Sequence, residues 1–171
     1  MSMAHIWIVG LSACLISASC LAQDLPPEDP PEVVRAKVAS VVKTHAKTIG
    51  CGVTVDARHV TPYMLEGGRV YVALYHADVG CSGGTSMGRP VLVVVRHAAY
   101  DTYVVDTRYS TPQQSPDNLP PTITQLAARD GRIELKGLAL DPSDALCCPS
   151  RRVQGYLRLA TGVNPKWDLV R

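Results

Sequence analysis

The sequence predicts an α+β domain in which one N-terminal helix packs on a mainly antiparallel, disulfide-crosslinked sheet. Apolar residues recur at helical spacing near the start of the domain, and from Cys51 onward the apolar period changes to two. The chain contains no Phe, so its core must consist of Val, Leu, Ile and Tyr, which favours strands. A chain of 171 residues, minus a leader, can form one domain with a sizeable core and about seven to eight strands.

Residues 1–22 are predicted to be a signal peptide. The apolar run from Ile6 to Ile16 is too short to span a bilayer, and Cys20-Leu21-Ala22 precedes Gln23 as in a signal-peptidase site. The predicted location is therefore periplasmic or secreted.

A lipoprotein is the alternative to simple cleavage. The residues before Cys14 and before Cys20 resemble those that precede a lipidated cysteine, and Cys20 follows an apolar run of better length. An outer-membrane lipoprotein acylated at Cys20 is thus the second hypothesis, and contact with a membrane is expected only if the chain is lipidated.

A Pro-rich, acidic spacer over residues 23–32 leads into a domain over residues 33–171. The end of the spacer predicts a helix start, with Asp29 as the cap, Pro30 at the first position and Glu32 completing a capping box. Gly50 is expected to end the helix, whose apolar face consists of Val34, Val38, Val41, Val42 and Ile49.

Strand signals follow in order. Gly67-Gly68 predicts a hairpin turn into a strand over 70–75, and the continuous apolar run over 91–95 predicts a strand covered on both faces. A strand at 103–106 precedes a long Pro-rich connection, residues 108–122.

The second half also predicts strands. An Asp130-Gly131 corner joins strands over 123–128 and 133–140 into a hairpin. Residues 153–159 alternate apolar and polar, and a last strand is expected at 167–170.

The cysteines predict disulfides. Six are present; Cys14 and Cys20 belong to the leader, and the other four suit two disulfides in an exported chain: Cys51, Cys81, Cys147 and Cys148. Adjacent cysteines bond only through a strained ring, so Cys147 and Cys148 are each expected to bond with Cys51 or Cys81, in undetermined pairing. A redox or metal-binding pair at Cys147-Cys148 is the alternative.

Catalytic patterns are weak. Gly80-Cys81-Ser82-Gly83-Gly84 matches G-x-S-x-G, but glycines and Pro90 follow where that motif needs a helix, and no acid lies between Ser82 and His97. A cysteine nucleophile at Cys81 would need a free thiolate beside a base such as His76. We therefore expect no catalytic residues and no enzyme, with a small serine or cysteine hydrolase as the least favoured alternative.

Ligand patterns are also weak. The histidines at 45, 59, 76 and 97 lack metal-ligand spacing, although His76 and Asp78 would share one side of a strand, so no metal or cofactor is expected. A net charge of +2 without a Lys/Arg cluster argues against a nucleic-acid partner.

Function is predicted as non-catalytic binding of another protein or an envelope component. The glycine-rich loop offers the candidate partner-binding residues Ser82, Thr85, Ser86, Met87 and Arg89. An inhibitor or immunity protein that blocks a toxin or lytic enzyme is the alternative, and it would insert a protruding loop, such as 82–89 or 111–121, into a cleft of its target.

One resemblance accompanies these patterns. The Gly-Cys-Ser-Gly-Gly loop, the Asp130-Gly131 hairpin and Cys147-Cys148-Pro149-Ser150 occur in an order that resembles small exported bacterial proteins and lipoproteins of the LppP/LprE type. That resemblance implies an envelope location, crosslinked cysteines and no enzymatic activity. The Asp-rich turn of such proteins is replaced here by Leu65-Glu66-Gly67-Gly68-Arg69, so it implies no cation site there.

Overall fold

One helix and two antiparallel sheets form the part of the chain that the structure, a computed structural model, describes: residues 31–81, 88–160 and 162–171. The elements are α1 (Pro31–Ala46), β1 (Cys51–Val55), β2 (Thr61–Leu65), β3 (Gly68–Asp78), β4 (Arg89–His97), β5 (Tyr103–Val105), β6 (Thr122–Arg129), β7 (Arg132–Ala139), β8 (Arg151–Ala160) and β9 (Lys166–Val170). Short 3-10 helices lie at Ala57–His59, Thr107–Tyr109 and Pro112–Gln114. The predicted α+β class and its N-terminal helix are confirmed. No helix in the described ranges is long and apolar enough to cross a membrane.

Helix α1 covers the first sheet with one narrow apolar stripe. Its buried residues recur every fourth position: Val34, Val38, Val42 and Ala46. The predicted periodicity is thus confirmed, and the amide of Gly50 closes the helix on the carbonyl of Ala46. The predicted cap, Asp29 and Pro30, lies outside the described residues.

The first sheet has β3 and β4 at its centre. β1 and β2 pair in tandem with the same strand, β3, and β5 pairs with β4. Alternate residues of β3 face opposite layers, with Tyr71 and Tyr75 against the helix and Val72 and Leu74 against the second sheet. The expectation that 91–95 is covered on both faces is confirmed, since Val93 and Val94 belong to opposite cores.

The second sheet is a meander in the order β6-β7-β8-β9. The predicted Asp130-Gly131 corner joins β6 to β7, with both residues in the left-handed region at φ 49° and 73°. Its inner face contributes Ile133, Leu135 and Trp167 to the core between the sheets.

The strands therefore form two stacked sheets, where the sequence predicted one. Each strand of the second half has a single apolar face. Adding these strands to the edge of the first sheet would leave that face uncovered, whereas stacking buries it against the free apolar face of the first sheet.

The predicted disulfide connectivity is wrong. Cys51 bonds Cys81, with Cα atoms 5.2 Å apart, and Cys147 bonds its neighbour Cys148. The reason lies in the first sheet, where β1 and β3 pair with Cys51 opposite Asp78. That pairing brings the start of β1 and the end of β3 together, so Cys51 finds its partner within the first half of the chain.

The Pro-rich connection packs along the outer edge of β4. The amide of Leu92 donates to Ser115 Oγ at 2.8 Å, and the amide of Val94 donates to Ser110 Oγ at 2.9 Å. Both serines are buried. Residues 111–121 therefore do not form the protruding loop that insertion into a target's cleft would require.

Candidate functional site

The predicted partner-binding loop is mostly outside the described residues. This holds for Ser82, Thr85, Ser86 and Met87, and also for the lipidation candidate Cys20. Arg89 is the exposed first residue of β4, and its guanidinium donates to the carbonyl of Asp117 at 2.8 Å. Cys81 is bonded to Cys51, so it holds no thiolate for nucleophilic catalysis.

Two of the histidines influence one another. His76 and Asp78 share a side of β3, as expected, and the charge of His76 helps to lower the pKa of His59, in the short helix before β2. His76 Nε2 lies 3.1 Å from the carbonyl oxygen of Pro121. Among the residues of 31–81, 88–160 and 162–171, no three His, Cys, Asp or Glu side chains are close enough to hold a metal ion.

A charged cluster surrounds the turn between β2 and β3. Glu66 accepts hydrogen bonds from Tyr109 (2.6 Å) and Arg108 (3.2 Å) through one oxygen and from Arg96 (3.2 Å) through the other. These partners, the Tyr109 hydroxyl first, lower the pKa of Glu66. Arg96 also pairs with Asp106. Because each charge has a partner, this cluster ties the turn to β4 and to the connection behind it.

The outer face of the second sheet gathers basic side chains. Burial alternates along β7, so that Ile133 and Leu135 face the first sheet and their neighbours face solvent. β8 alternates in the same way around Val153 and Leu157. Six basic residues lie on this outward side of β7 and β8, at the end of β6 or just after β9. We call them the basic face: Arg129, Arg132, Lys136, Arg152, Arg158 and Arg171.

Strand register places these residues side by side. Arg129 lies opposite Arg132 across the hairpin, and Lys136 lies opposite Gln154, next to Arg152 along β8. Neighbouring strands are about 4.8 Å apart and same-face residues along a strand about 6.7 Å apart. Positive groups therefore repeat at spacings that one extended ligand can contact together.

Acidic residues offset only part of this charge. Glu134 lies 4.0 Å from Arg129 Nε, and Asp168 lies 3.7 Å from Arg158, both at the outer range of an ion pair. Lys136, Arg152 and Arg171 form no ion pair with another described residue. Exposed ion pairs are weak, about 0–1 kcal/mol, so an anionic ligand can replace those that exist.

Tyr156 lies in the middle of the basic face. The guanidinium carbon of Arg132 is 4.8 Å from the centroid of its ring, a cation–π contact that holds the guanidinium beside β8. Around this pair lies an open cavity of about 470 Å³, whose charged and polar lining consists of Arg129, Asp130, Arg132, Glu134, Gln154, Tyr156 and Arg171. Guanidinium groups bind carboxylates, phosphates and sulfates through paired hydrogen bonds, so the cavity suits an oxyanion.

No run of Lys and Arg in the sequence marks this site. The signal has a period of two: Arg132, Glu134 and Lys136 on one strand, and Arg152, Gln154, Tyr156 and Arg158 on the next. Only the antiparallel register brings the two series onto one surface. Comparison of the chain with protein-family models, with curated proteins and with solved structures finds no significant match.

Proposed function

We propose that this chain is a non-catalytic, exported protein that binds an acidic polysaccharide of the cell envelope through the basic face. The observation that carries this proposal is the gathering of six Lys and Arg side chains on one solvent-facing side of a hydrogen-bonded sheet, where the described acidic neighbours are Asp130, Glu134 and Asp168.

Export is supported by the cysteines and the leader. The Cys51–Cys81 disulfide joins the first residue of β1 to the chain just after β3, and stable disulfides form mainly in oxidising compartments outside the cytoplasm. Residues 1–22 have the pattern of a signal peptide.

A polymer suits the basic face better than a single small anion. Each exposed charge contact contributes roughly 0.2–1 kcal/mol, too little for specific binding by one residue. A chain with repeated acidic groups makes several contacts at once, and their free energies combine because the strands already hold the side chains at fixed spacings.

A lipid surface suits the basic face less well. Binding at a membrane interface draws on large exposed apolar side chains beside the basic ones. One exposed large hydrophobic residue, Met64, borders Arg129 at the edge of the basic face. None of the other exposed large hydrophobic residues of the described chain lines the cavity around Tyr156: Val33, Val79, Tyr100, Val104, Leu146 and Val163.

The test is charge reversal on the basic face. We expect the double variant Lys136→Glu/Arg152→Glu to bind heparin, used as an acidic-polysaccharide probe, about tenfold or more weakly than the unchanged protein. Two attractions become two repulsions of roughly 0.2–1 kcal/mol each. The measurement is isothermal titration at low ionic strength, repeated at several NaCl concentrations because salt screens such contacts.

The matched control reverses two lysines on the opposite side of the molecule. Lys43→Glu/Lys47→Glu changes the net charge equally, at two exposed positions in the last turn of α1 and just after it, and should change affinity less than about twofold. Equal losses in both variants would mean that only net charge matters and would overturn the proposal. Binding to phosphatidylcholine–phosphatidylglycerol vesicles with no binding to heparin would overturn it in favour of a lipid surface.

A further inference from the structure

The loop between β7 and β8 carries a disulfide that joins adjacent residues, Cys147 and Cys148. Both cysteines are exposed, and the preceding Leu146 is 79 % exposed. The loop therefore presents two bonded sulfurs and an apolar side chain to solvent.

Adjacency fixes the geometry of this bond. Consecutive Cα atoms across a trans peptide are 3.8 Å apart, and this chain has no cis peptide in its described residues. Ordinary disulfides join Cα atoms roughly 4.4–6.8 Å apart, and departures from that range make the bond easier to reduce. The Cys51–Cys81 pair, at 5.2 Å, lies within the range.

The bond also encloses no loop of chain. A disulfide stabilises a fold largely by restricting the conformations of the unfolded chain between its two cysteines, and adjacent cysteines have no chain between them. Cys51–Cys81, with a sequence separation of 30, has this stabilising role, whereas Cys147–Cys148 does not.

The loop keeps its shape through Asp144 instead. One carboxylate oxygen accepts from the amides of Asp141 and Ser150, both at 2.8 Å, and the other accepts from the Ser150 hydroxyl at 2.8 Å. The amide of Cys148 donates to the carbonyl of Ala145 at 2.9 Å. Opening the disulfide leaves the Asp144 contacts in place, so the bond can open and close without unfolding the loop.

From these observations we propose that Cys147–Cys148 is a redox-active pair that exchanges electrons with an exported dithiol protein of the Cys-x-x-Cys type. This role goes beyond polysaccharide binding, and its two sulfurs lie outside the basic face, with Arg152 the one residue that both proposals use. Leu146 gives the partner an apolar contact beside the sulfurs, and Arg151 and Arg152, which begin β8, provide positive charge close in sequence to the thiolate that is released.

The exchange is balanced in two steps. A thiolate of the reduced partner attacks one sulfur of the pair, forming a mixed disulfide, and the other sulfur leaves as a thiolate that takes up a proton. The second thiolate of the partner attacks the mixed disulfide and releases the second cysteine, which is also protonated. The partner is oxidised to its disulfide, and Cys147 and Cys148 gain two electrons and two protons.

The first test is a redox titration of the full exported chain, purified without reductant. The protein is equilibrated at graded ratios of reduced to oxidised dithiothreitol and alkylated with N-ethylmaleimide, and each cysteine is followed by peptide mass. We expect Cys147 and Cys148 to become half reduced at a ratio about tenfold or more below that for Cys51 and Cys81. Both exposed pairs are open to the same reagent, so accessibility does not produce this difference.

Either of two results overturns the proposal. One is reduction of both pairs at the same ratio, or of Cys51–Cys81 first. The other is alkylation of Cys147 and Cys148 in protein that has met no reductant, which would mean that the two sulfurs are not bonded.

The second test traps the mixed disulfide. A thioredoxin with its second active-site cysteine changed to Ser should form a reducible adduct with the protein, mapped to Cys147 or Cys148. Cys147→Ser/Cys148→Ser should abolish the adduct while keeping the circular dichroism spectrum, because no loop closure is lost. An adduct that persists in this variant, through Cys51 or Cys81, would overturn the proposal.

Discussion

Burial sets the protonation behaviour of His59. This residue ends the short helix between β1 and β2 and hydrogen-bonds the backbone of Thr124 on the second sheet. Desolvation is the largest cause that lowers its pKa, and the charges of Arg58 and His76 act in the same direction, while Asp56 and the Thr124 bond oppose them. Its neutral form is therefore favoured in the folded protein.

We expect this histidine to make stability fall in mild acid. Its pKa in the folded state lies below the ordinary value of 6.5, so the unfolded state binds more protons as the pH drops. The free energy that neutral His59 contributes to folding is fully present above pH 6.5, and it is lost as the pH falls through the lowered pKa of the folded state. Burial lowers the pKa of His45 on α1 as well, with the same sign.

The measurement is urea unfolding at about pH 7.5 and about pH 5.5. His59→Gln keeps a polar side chain and removes the titration, so its loss of stability between the two pH values should be smaller than that of the unchanged protein. Equal losses would contradict the assignment to His59.

At the scale of elements, the two disulfides have different roles. Cys51–Cys81 connects the first residue of β1 to the chain just after β3, a span of 30 residues. Cys147–Cys148 connects neighbours within one loop. The first bond constrains how the first sheet assembles, and the second constrains only its own peptide.

Removing the two bonds should therefore have unequal effects. Cys51→Ser/Cys81→Ser should lower the free energy of unfolding by about 3–4 kcal/mol, the loop-closure value for this span. Cys147→Ser/Cys148→Ser should change it by less than about 0.5 kcal/mol. Denaturant unfolding of the paired variants measures both, and similar losses would contradict the division of roles.

Local elements were predictable where one residue type decides the geometry. Asp130-Gly131 predicted its hairpin because both turn positions need positive φ, which Gly and Asp tolerate. At the other hairpin the turn residues are Glu66 and Gly67, one position before the predicted Gly67-Gly68, because Leu65 pairs with Gly68 and leaves Glu66 at φ 53°. Glutamate carries little signal for that conformation, so the sequence pattern placed the turn one residue late.

Long-range arrangement was not predictable in the same way. Nothing local indicates that Cys51 ends opposite Asp78, and that register decides the disulfide. The basic face depends equally on which strands become neighbours, since Lys136 and Arg152 are far apart in sequence and meet only through β7–β8 pairing.

At the scale of the whole molecule, two cores share the same central strands. Ala73 packs in the core under α1, and its neighbours Val72 and Leu74 pack in the core between the sheets. If one of these central strands unfolds, both cores lose residues at once. The helix layer and the second sheet should therefore unfold together.

Val38→Ala tests this coupling. Val38 is fully buried under α1, and its truncation should cost about 1.5–3 kcal/mol. The loss should appear equally in far-ultraviolet circular dichroism and in the fluorescence of Trp167, which lies in the other core. The protein used begins at Gln23, so that Trp7 does not contribute.

The control lies on the same helix. Val33→Ala removes a side chain that is 38 % exposed and should have a much smaller effect on both signals. If Val38→Ala shifts the circular dichroism transition and leaves the Trp167 transition unchanged, the layers unfold independently.

The hydroxyl groups of Ser110 and Ser115 have a consequence for how copies of this chain behave when they are crowded. β4 would otherwise present the amides of Leu92 and Val94 along an open border of the first sheet. A sheet edge with unpaired backbone groups can bind strands from other molecules, and such pairing begins ordered aggregates. Because two serines from the same chain already occupy these amides, an incoming strand finds no donor there, and this border is closed to intermolecular strand addition.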